Sequence, residues 1–305
     1  PNIGVALFPA DADAVEVLMR RADLAMYHAK AAGRDAVRFF SPEMDTVATD
    51  RLRIERDLRA ALERDEFVLQ YQPQVDLDTG LIFGVEALAR WQHPELGLLP
   101  PGRFIPIAEE TGLIVALGER LLLKACAQLR TWKQQGLSTV RMAVNLSAHQ
   151  LRHESLPGLI ERMLTDFQID PIMLELEITE SAAMENAHET VKLLKRFRAM
   201  GLELSIDDFG TGYSSLNYLK LFPIQRLKVD HSFVRDMETD AHDAVICSAT
   251  ISLAHALGLE VVAEGVETAF QYAELKRMGC DLVQGFYLSR PLSPAHLFQV
   301  FGSLK

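Results

Sequence analysis

Cysteine is scarce. Cys126, Cys247 and Cys280 are the three in 305 residues, odd in number and widely spaced. That excludes a disulfide framework or a thiolate metal site and predicts reduced thiols in the core or helices of a cytoplasmic protein. Long apolar runs are missing too. No stretch of about 18 apolar residues occurs, so no membrane-spanning helix is expected. The most apolar region, 244–263, is broken by Ser248, Thr250, Ser252, His255 and Glu260 and reads as a buried helix leading into a strand. Basic residues are in deficit: 31 Lys and Arg against 42 Asp and Glu give a net charge of −11. This argues against a nucleic-acid polymer as partner and against a membrane-surface helix. A small anionic substrate stays open, because bound divalent cations invert a local field. No signal-peptide pattern opens the chain. It begins at Pro1 on a strand-like run, which predicts a piece of a longer protein whose upstream part could be membrane-anchored.

What is present is an ordinary globular composition, 49% hydrophobic and 24% charged. Residues 1–40 read strand, helix, strand. "IGVALFP" stops at Pro9, Val15, Leu18, Ala22, Leu24, Ala25 and Ala29 fall at helical spacing, Gly33 suits a C-terminal cap, and "AVRFF" is a second strand. Some 40 residues make a poor core alone, so this βαβ-type segment is expected to be the tail of another domain. Residues 41–65 place Leu52, Ile54, Leu58, Ala61 and Leu62 among many charges, the pattern of a linking helix.

Residues 66–305 alternate. Eight strand-like runs, "FVLQYQPQV", "LIFGVEALARW", "VRMAVNLS", "MLELEIT", "LELSIDDF", "RLKVDHSF", "LEVVAEGV" and "DLVQGFYLS", are mostly separated by helical patterns. The first two are joined only by "DLDTG", a hairpin that makes them antiparallel. The fold class predicted is α/β, a (β/α)8 TIM-like barrel with an antiparallel first strand. An open doubly wound sheet is the alternative, although no Gly-x-Gly-x-x-Gly opens a helix.

In such a barrel chemistry gathers at the carboxyl ends of strands. There the runs carry Glu86 and Arg90; Asn145 and Ser147; Glu177, Thr179 and Glu180; Asp207 and Asp208; Lys228 and Asp230; Glu264 and Glu267; and Gln284. One strand-end acid is commonly structural. At least five carboxylates on one rim cannot all stay ionised without cations. An all-oxygen donor set suits hard ions, Mg2+ or Mn2+, and apart from His231 these strand ends carry no histidine or cysteine, which disfavours zinc. Two such ions about 3.5–4 Å apart serve phosphoester hydrolysis. Lys228 would sit near the attacking water or the phosphoryl oxygens, or simply pair with Asp207 or Asp208. The loop after Asp208, with Gly210 and Gly212 and then Tyr213, Ser214 and Ser215, is either a plain turn or a device coupling the site to something outside.

At these residues the chain resembles the EAL family of cyclic di-GMP phosphodiesterases. "EALARW" (86–91), "VNLS" (144–147), "EITES" (177–181), "DDFGTGYSSL" (207–216), "LKVD" (227–230), "AEGVET" (263–268) and "QGFYLSRPL" (284–292) are similar to that family's motifs, in order, over residues 50–305. The resemblance implies hydrolysis of cyclic di-GMP to linear pGpG with two Mg2+ or Mn2+ ions. Glu86, Asn145, Glu177 and Asp207 would hold one ion. Asp207 and Asp208 would hold the second, with Glu264 or Glu267 nearby. Lys228 would orient the nucleophilic water, and Glu264 would be an essential acid, as base or metal-site member. Gln72, Leu88, Arg90, Asp230 and Gln284 match positions that hold guanine or phosphate; Arg90 suits a phosphate oxygen. Glu180 and the 209–215 loop would form a regulatory hinge near a homodimer contact. "RADLAMYHAKAAGRDAVRFF" in residues 1–40 resembles the end of a GGDEF (diguanylate cyclase) domain, without the Gly-Gly-Asp-Glu-Phe signature. This implies cyclase-like and sensor domains upstream and no cyclase activity here. Two other readings are a nucleotide receptor that signals through helix 41–65, and a different metal-dependent barrel enzyme that forms an enolate.

Overall fold

The computed structural model describes residues 1–31, 36–137, 140–212 and 216–303. The backbone separates into two compact units, residues 1–64 with 102–111, and residues 65–101 with 112–305.

In the first unit β1 (Ile3–Val5) and β2 (Val37–Phe39) pair in parallel, joined by α1 (Val15–Ala31). Ala25 and Ala29 of α1 are buried, whereas Val15 is exposed. Gly33, expected to cap this helix, lies outside the described residues. Next comes α2 (Pro42–Glu63), with Pro in its first turn beside Glu43 and Asp45, where a fixed φ and negative charge suit a helix start. It buries Ile54, Leu58 and Ala61, spaced i, i+4, i+7. Leu52, expected on the same face, is 69% exposed, because two residues from Ile54 is half a turn away. The unit also holds α3 (Ile105–Glu110), which Asp50 and Arg51 of α2 tie through Arg103 (2.8 Å) and Glu110.

In the second unit β3 (Phe67–Asp76) and β4 (Ile82–His93) form the expected antiparallel hairpin, with Gln72 opposite Glu86. The three-residue β5 (Gly97–Leu99) pairs with the far end of β4 and was not anticipated. The chain continues through α4 (Ile114–Gln134), β6 (Arg141–Leu146), α5 (Ala148–Leu151), α6 (Leu156–Phe167), β7 (Leu174–Thr179), α7 (Glu180–Glu185), α8 (Ala187–Ala199) and β8 (Glu203–Phe209). It ends with α9 (Leu216–Leu219), β9 (Arg226–Val229), α10 (His231–Asp236), α11 (Ala241–Ala256), β10 (Glu260–Ala263), α12 (Ala269–Arg277), β11 (Leu282–Val283) and α13 (Pro294–Ser303).

Strand order β3-β11-β10-β9-β8-β7-β6-β4, closed by β3 on β4, makes an eight-stranded barrel. Only β3 runs against its two neighbours in the ring. This is the predicted barrel with its antiparallel first strand. Three predicted strands were too long. "RLKVDHSF" stops at Val229, because the Asp230 carboxylate accepts the Ser232 N–H (3.0 Å) and caps α10. "LEVVAEGV" stops at Ala263, two residues before Gly265 turns the backbone left-handed (φ +69°). "DLVQGFYLS" is a strand only at Leu282 and Val283.

Leu176, Leu204, Ile206, Leu227 and Val229 alternate along β7, β8 and β9 and are buried, as are Leu194 and Phe197 of α8 and Ile251 of α11. Each such side chain contributes roughly 1.5–3 kcal/mol. The intervening residues, Glu175 and Glu177, Glu203, Ser205 and Asp207, and Arg226 and Lys228, point the other way, into the barrel. The interior is therefore a polar column between apolar walls. The three cysteines are buried free thiols. Among the described residues no helix is long and apolar enough to cross a membrane.

Candidate active site

Lys228 organises the carboxyl end of the barrel. Its side chain projects inward from β9 and is fully buried. Its Nζ donates to Glu177 Oε2 (2.8 Å) and lies 2.6 Å from Glu264, 3.2 Å from Asp207 and 3.6 Å from Glu86. These acids come from β7, the end of β10, β8 and β4, so only the barrel interior can bring them together. Asp208 completes the group. Its backbone is left-handed (φ +54°), uncommon for a residue other than glycine, and its N–H donates to Asp207 Oδ1 (2.9 Å). Lys228 and its alternative partners are thus one cluster.

Five carboxylates face one ammonium, and their proton affinities record the imbalance. Burial pushes Glu177 well above the usual carboxylate range, and Glu86 and Asp207 add to the rise against the pull of Lys228. Burial also raises Asp207. It takes Asp208 up to about 6, with help from Asp207, and Glu264 up to about 8. For Glu86, burial is outweighed by Lys228 and by the Gln284 and Asn145 amides, and the net effect is downward. Burial works against the Lys228 charge, but its four acids more than compensate and hold it well above the ordinary lysine value.

The donor set fits divalent cations. One carboxylate oxygen from each of Glu86, Glu177 and Asp207 lies within 4.8 Å of the others, and the same holds for Asp207, Asp208 and Glu264. Asp207 is common to both groups. Glu177 Oε1 is buried without a hydrogen-bond partner, an orphan acceptor in a site already rich in negative charge. All these donors are oxygens, the chemistry of a hard ion.

Other predicted residues surround this cluster. Both oxygens of Glu86 are held by amides, Oε1 by Asn145 (2.7 Å) and Oε2 by Gln284 (2.6 Å). Gln284 also donates to Gln72, which donates to the Ser289 carbonyl. Arg90 donates to Gln70 (2.8 Å) and to the Ala89 carbonyl. Asp230 is spent on its cap, on the Ser232 hydroxyl and on His231. Glu267 is exposed and belongs to neither carboxylate group among the described residues. Glu180 is buried, and its Oε2 accepts the Gly210 N–H (2.9 Å). A Cβ on Gly212 would come 2.8 Å from Glu180 Oε1, so the loop closes directly over that carboxylate. Tyr213, Ser214 and Ser215 lie outside the described residues.

A cavity of about 390 Å3 opens onto the cluster, lined by Gln72, Glu86, Leu88, Asp207, Glu264 and Gln284 among others. A larger surface cavity of about 740 Å3, by Arg152, Glu185 and Arg196, includes none of the clustered carboxylates. Sequence reasoning missed Phe286 on the smaller cavity; its half-exposed ring is covered by the Arg290 guanidinium at 4.5 Å. Its place two residues after Gln284 in "QGFYLSRPL" was the available signal.

The chain is 47% identical over 296 residues to the bifunctional diguanylate cyclase/cyclic di-GMP phosphodiesterase MucR of Pseudomonas aeruginosa, covering 97% of this chain and 43% of that protein. It is 45% identical to the cyclic di-GMP phosphodiesterase NbdA of the same organism, covering 97% and 38%. The chain thus spans less than half the length of these curated relatives. Among solved structures, one described as PaMucR Phosphodiesterase, c-di-GMP complex, superposes with a TM-score of 0.78 at 48% identity, covering 80% of this chain and 99% of that one. Residues 55–291 match the family model described as EAL domain, and with that match and these relatives the chain belongs to the EAL domain family.

Proposed function

We propose that this chain hydrolyses one phosphodiester of cyclic di-GMP to linear 5'-pGpG. The observation that carries the reading is the cluster of Glu86, Glu177, Asp207, Asp208 and Glu264 around the buried Lys228, in a chain whose relatives carry that activity in their names. Glu86, Asn145, Glu177 and Asp207 would hold one divalent ion, and Asp207 and Asp208 would hold a second, with Glu264 in the same carboxylate group and Glu267 outside it. Mg2+ or Mn2+ in these places would supply charge for the attacking and leaving oxygens.

The chain's own residues do the rest. Lys228 Nζ, fixed among carboxylates, positions the water that attacks phosphorus. Glu264, which would be ionised once cations share the site, receives the proton that the water loses. The phosphorus–O3' bond breaks and the 3'-oxygen leaves as a hydroxyl by taking the proton that Glu264 received, so one water is consumed and one 5'-phosphate appears. Gln72, Leu88 and Gln284 line the wall on which a guanine rests, Arg90 reaches a phosphate oxygen, and Asp230 acts mainly by fixing the start of α10.

Residues 1–40 are read as the end of a cyclase-like domain and 41–65 as the helix that leads from it. The parent protein then carries cyclase-like and sensor parts upstream, its EAL part acts in the cytoplasm as a homodimer, and Glu180 with Gly210 and Gly212 forms the hinge reporting on that contact. The test is incubation with cyclic di-GMP and Mg2+ or Mn2+, with EDTA in parallel, followed by nucleotide separation. Metal-dependent linear pGpG is expected. Nucleotide bound but uncut with either metal would make the chain a receptor instead.

A further inference from the structure

Among the described residues lining the 390 Å3 cavity, His231 is the one side chain able to carry positive charge; the others offer carboxylates, amides or apolar groups. Lys228 lies beneath, fully buried and occupied by four acids. A cyclic dinucleotide brings two phosphodiester charges to a mouth that already presents Glu264 and Glu267. A cationic donor on that wall would counter the repulsion.

The position of His231 is fixed from two sides. β9 ends at Val229 and Asp230 caps the next helix, so His231 is the first residue of α10. Across from it, a Cβ on Gly265 would come 2.7 Å from His231 Cβ; glycine there lets the turn after β10 press against the base of the histidine. On the ring itself, Nδ1 lies 3.0 Å from Asp230 Oδ2. A carboxylate on one ring nitrogen orients an imidazole and leaves the other nitrogen for a ligand. Asp230 is buried, whereas the His231 side chain is 63% exposed, so Nε2 faces away from Asp230 toward the open side.

We propose that His231 is a substrate-contacting residue, its Nε2 donating to a phosphate oxygen of the bound cyclic dinucleotide. Nδ1 stays on Asp230, so the exposed edge of the ring is left to meet the phosphate. The contact strengthens binding more than it speeds the chemical step, because it lies outside the carboxylate cluster. This inference rests on the function proposed above.

The experiment compares wild type, His231→Ala and His231→Arg in steady-state hydrolysis of cyclic di-GMP. Calorimetric binding of the nucleotide in EDTA and thermal unfolding are measured on the same samples. The expected result for His231→Ala is a KM raised about five- to twentyfold, kcat within about twofold, a comparably weakened Kd and an unchanged unfolding temperature, the scale of one lost charged hydrogen bond at a partly exposed site. His231→Arg, which restores a cationic donor, should recover most of the affinity. An unchanged KM and Kd for His231→Ala overturns the proposal. So does a fall in kcat that tracks the unfolding temperature and is not rescued by Arg, since that marks a structural role. If wild type binds the nucleotide without cutting it, the proposed function fails while the Kd comparison still decides the role of His231. If wild type does not bind it, both fail.

Discussion

The two ends of the barrel interior solve the same electrostatic problem differently. At the amino end Arg226 lies 2.6 Å from Glu175, 3.3 Å from Glu203 and 3.0 Å from Glu260. Arg198 (2.9 Å) and Arg141 (3.8 Å) add charge on Glu203, and the Phe83 ring sits under both Arg141 and Arg226 at 4.7 and 4.8 Å. Three acids meet three guanidiniums. At the carboxyl end five acids meet one ammonium. The first arrangement balances its charges, although Arg226 Nε, 3.0 Å from Glu260, makes no hydrogen bond. The second leaves raised carboxyl pKa values and an orphan oxygen on Glu177, and it is complete only with added positive charge. Within one fold, charge balance thus separates the end built for stability from the end built for chemistry.

Exchanging a charge at each end gives the widest separation. Asp207→Asn removes the acid shared by both carboxylate groups. Turnover of cyclic di-GMP should fall about a thousandfold or more, the scale of losing a group needed for transition-state charge. The metal-free protein should become no less stable, and could gain, because one of five crowded negative charges is gone. Arg226→Met should do the reverse. It strands the buried Glu175, while Glu203 keeps Arg198 and Arg141 and the exposed Glu260 keeps water, and it should cost about 3–5 kcal/mol in denaturant unfolding, while the folded fraction keeps kcat within a fewfold. Equal stability losses from the two substitutions would erase the distinction.

The third test varies pH and metal. Glu264 rises from an ordinary 4.5 to about 8, and Asp208 from 3.8 to about 6. A carboxyl whose pKa is raised by folding binds its proton more tightly in the native state. Its stabilising contribution is complete below the unfolded value and is lost as pH rises through the folded one. The metal-free unfolding temperature should therefore fall from about pH 4 to 8. Saturating Mn2+ or Mg2+ should reverse the fall, adding roughly 2.7 kcal/mol at a hundred times Kd, and its binding should release protons. A flat metal-free profile would show that the five acids are not crowded.

This contrast also shows what was legible in the sequence. Glu177, Asp207 and Glu264 stood out as acids at the ends of apolar strand runs, and Glu86 as an acid inside one, β4 continuing past it to His93. The amino-end network did not. Glu175, Glu203, Arg226 and Glu260 open their strands, where a charge looks like a solvated strand start, and nothing local says that four strands turn those side chains toward one another. Likewise "VDHSF" reads as strand by composition, but the Asp230 cap overrides propensity and starts α10. Closure of the ring was inferable from the count of strands, whereas β5 is only three residues long and has no periodic signal.

The smallest effect belongs to the Glu180 clamp, which adjoins the carboxyl-end cluster without joining it. Glu180 Oε2 takes the Gly210 N–H at 2.9 Å, just beyond the left-handed turn at Asp208, while Gly210 has φ +101° and room for a Cβ only 2.9 Å from the Phe233 ring. Glu180→Ala removes a buried acceptor and should cost about 1–3 kcal/mol. With its tether gone, the 209–212 segment lets Asp208 drift, and kcat should fall about three- to tenfold with KM for the nucleotide little changed. Glu180→Gln keeps an acceptor oxygen and removes the charge, so it should retain most of the stability and most of the rate. If the glutamine variant is as impaired as the alanine one, the carboxylate charge itself is needed, and Glu180 would count with the crowded acids rather than as their mechanical support.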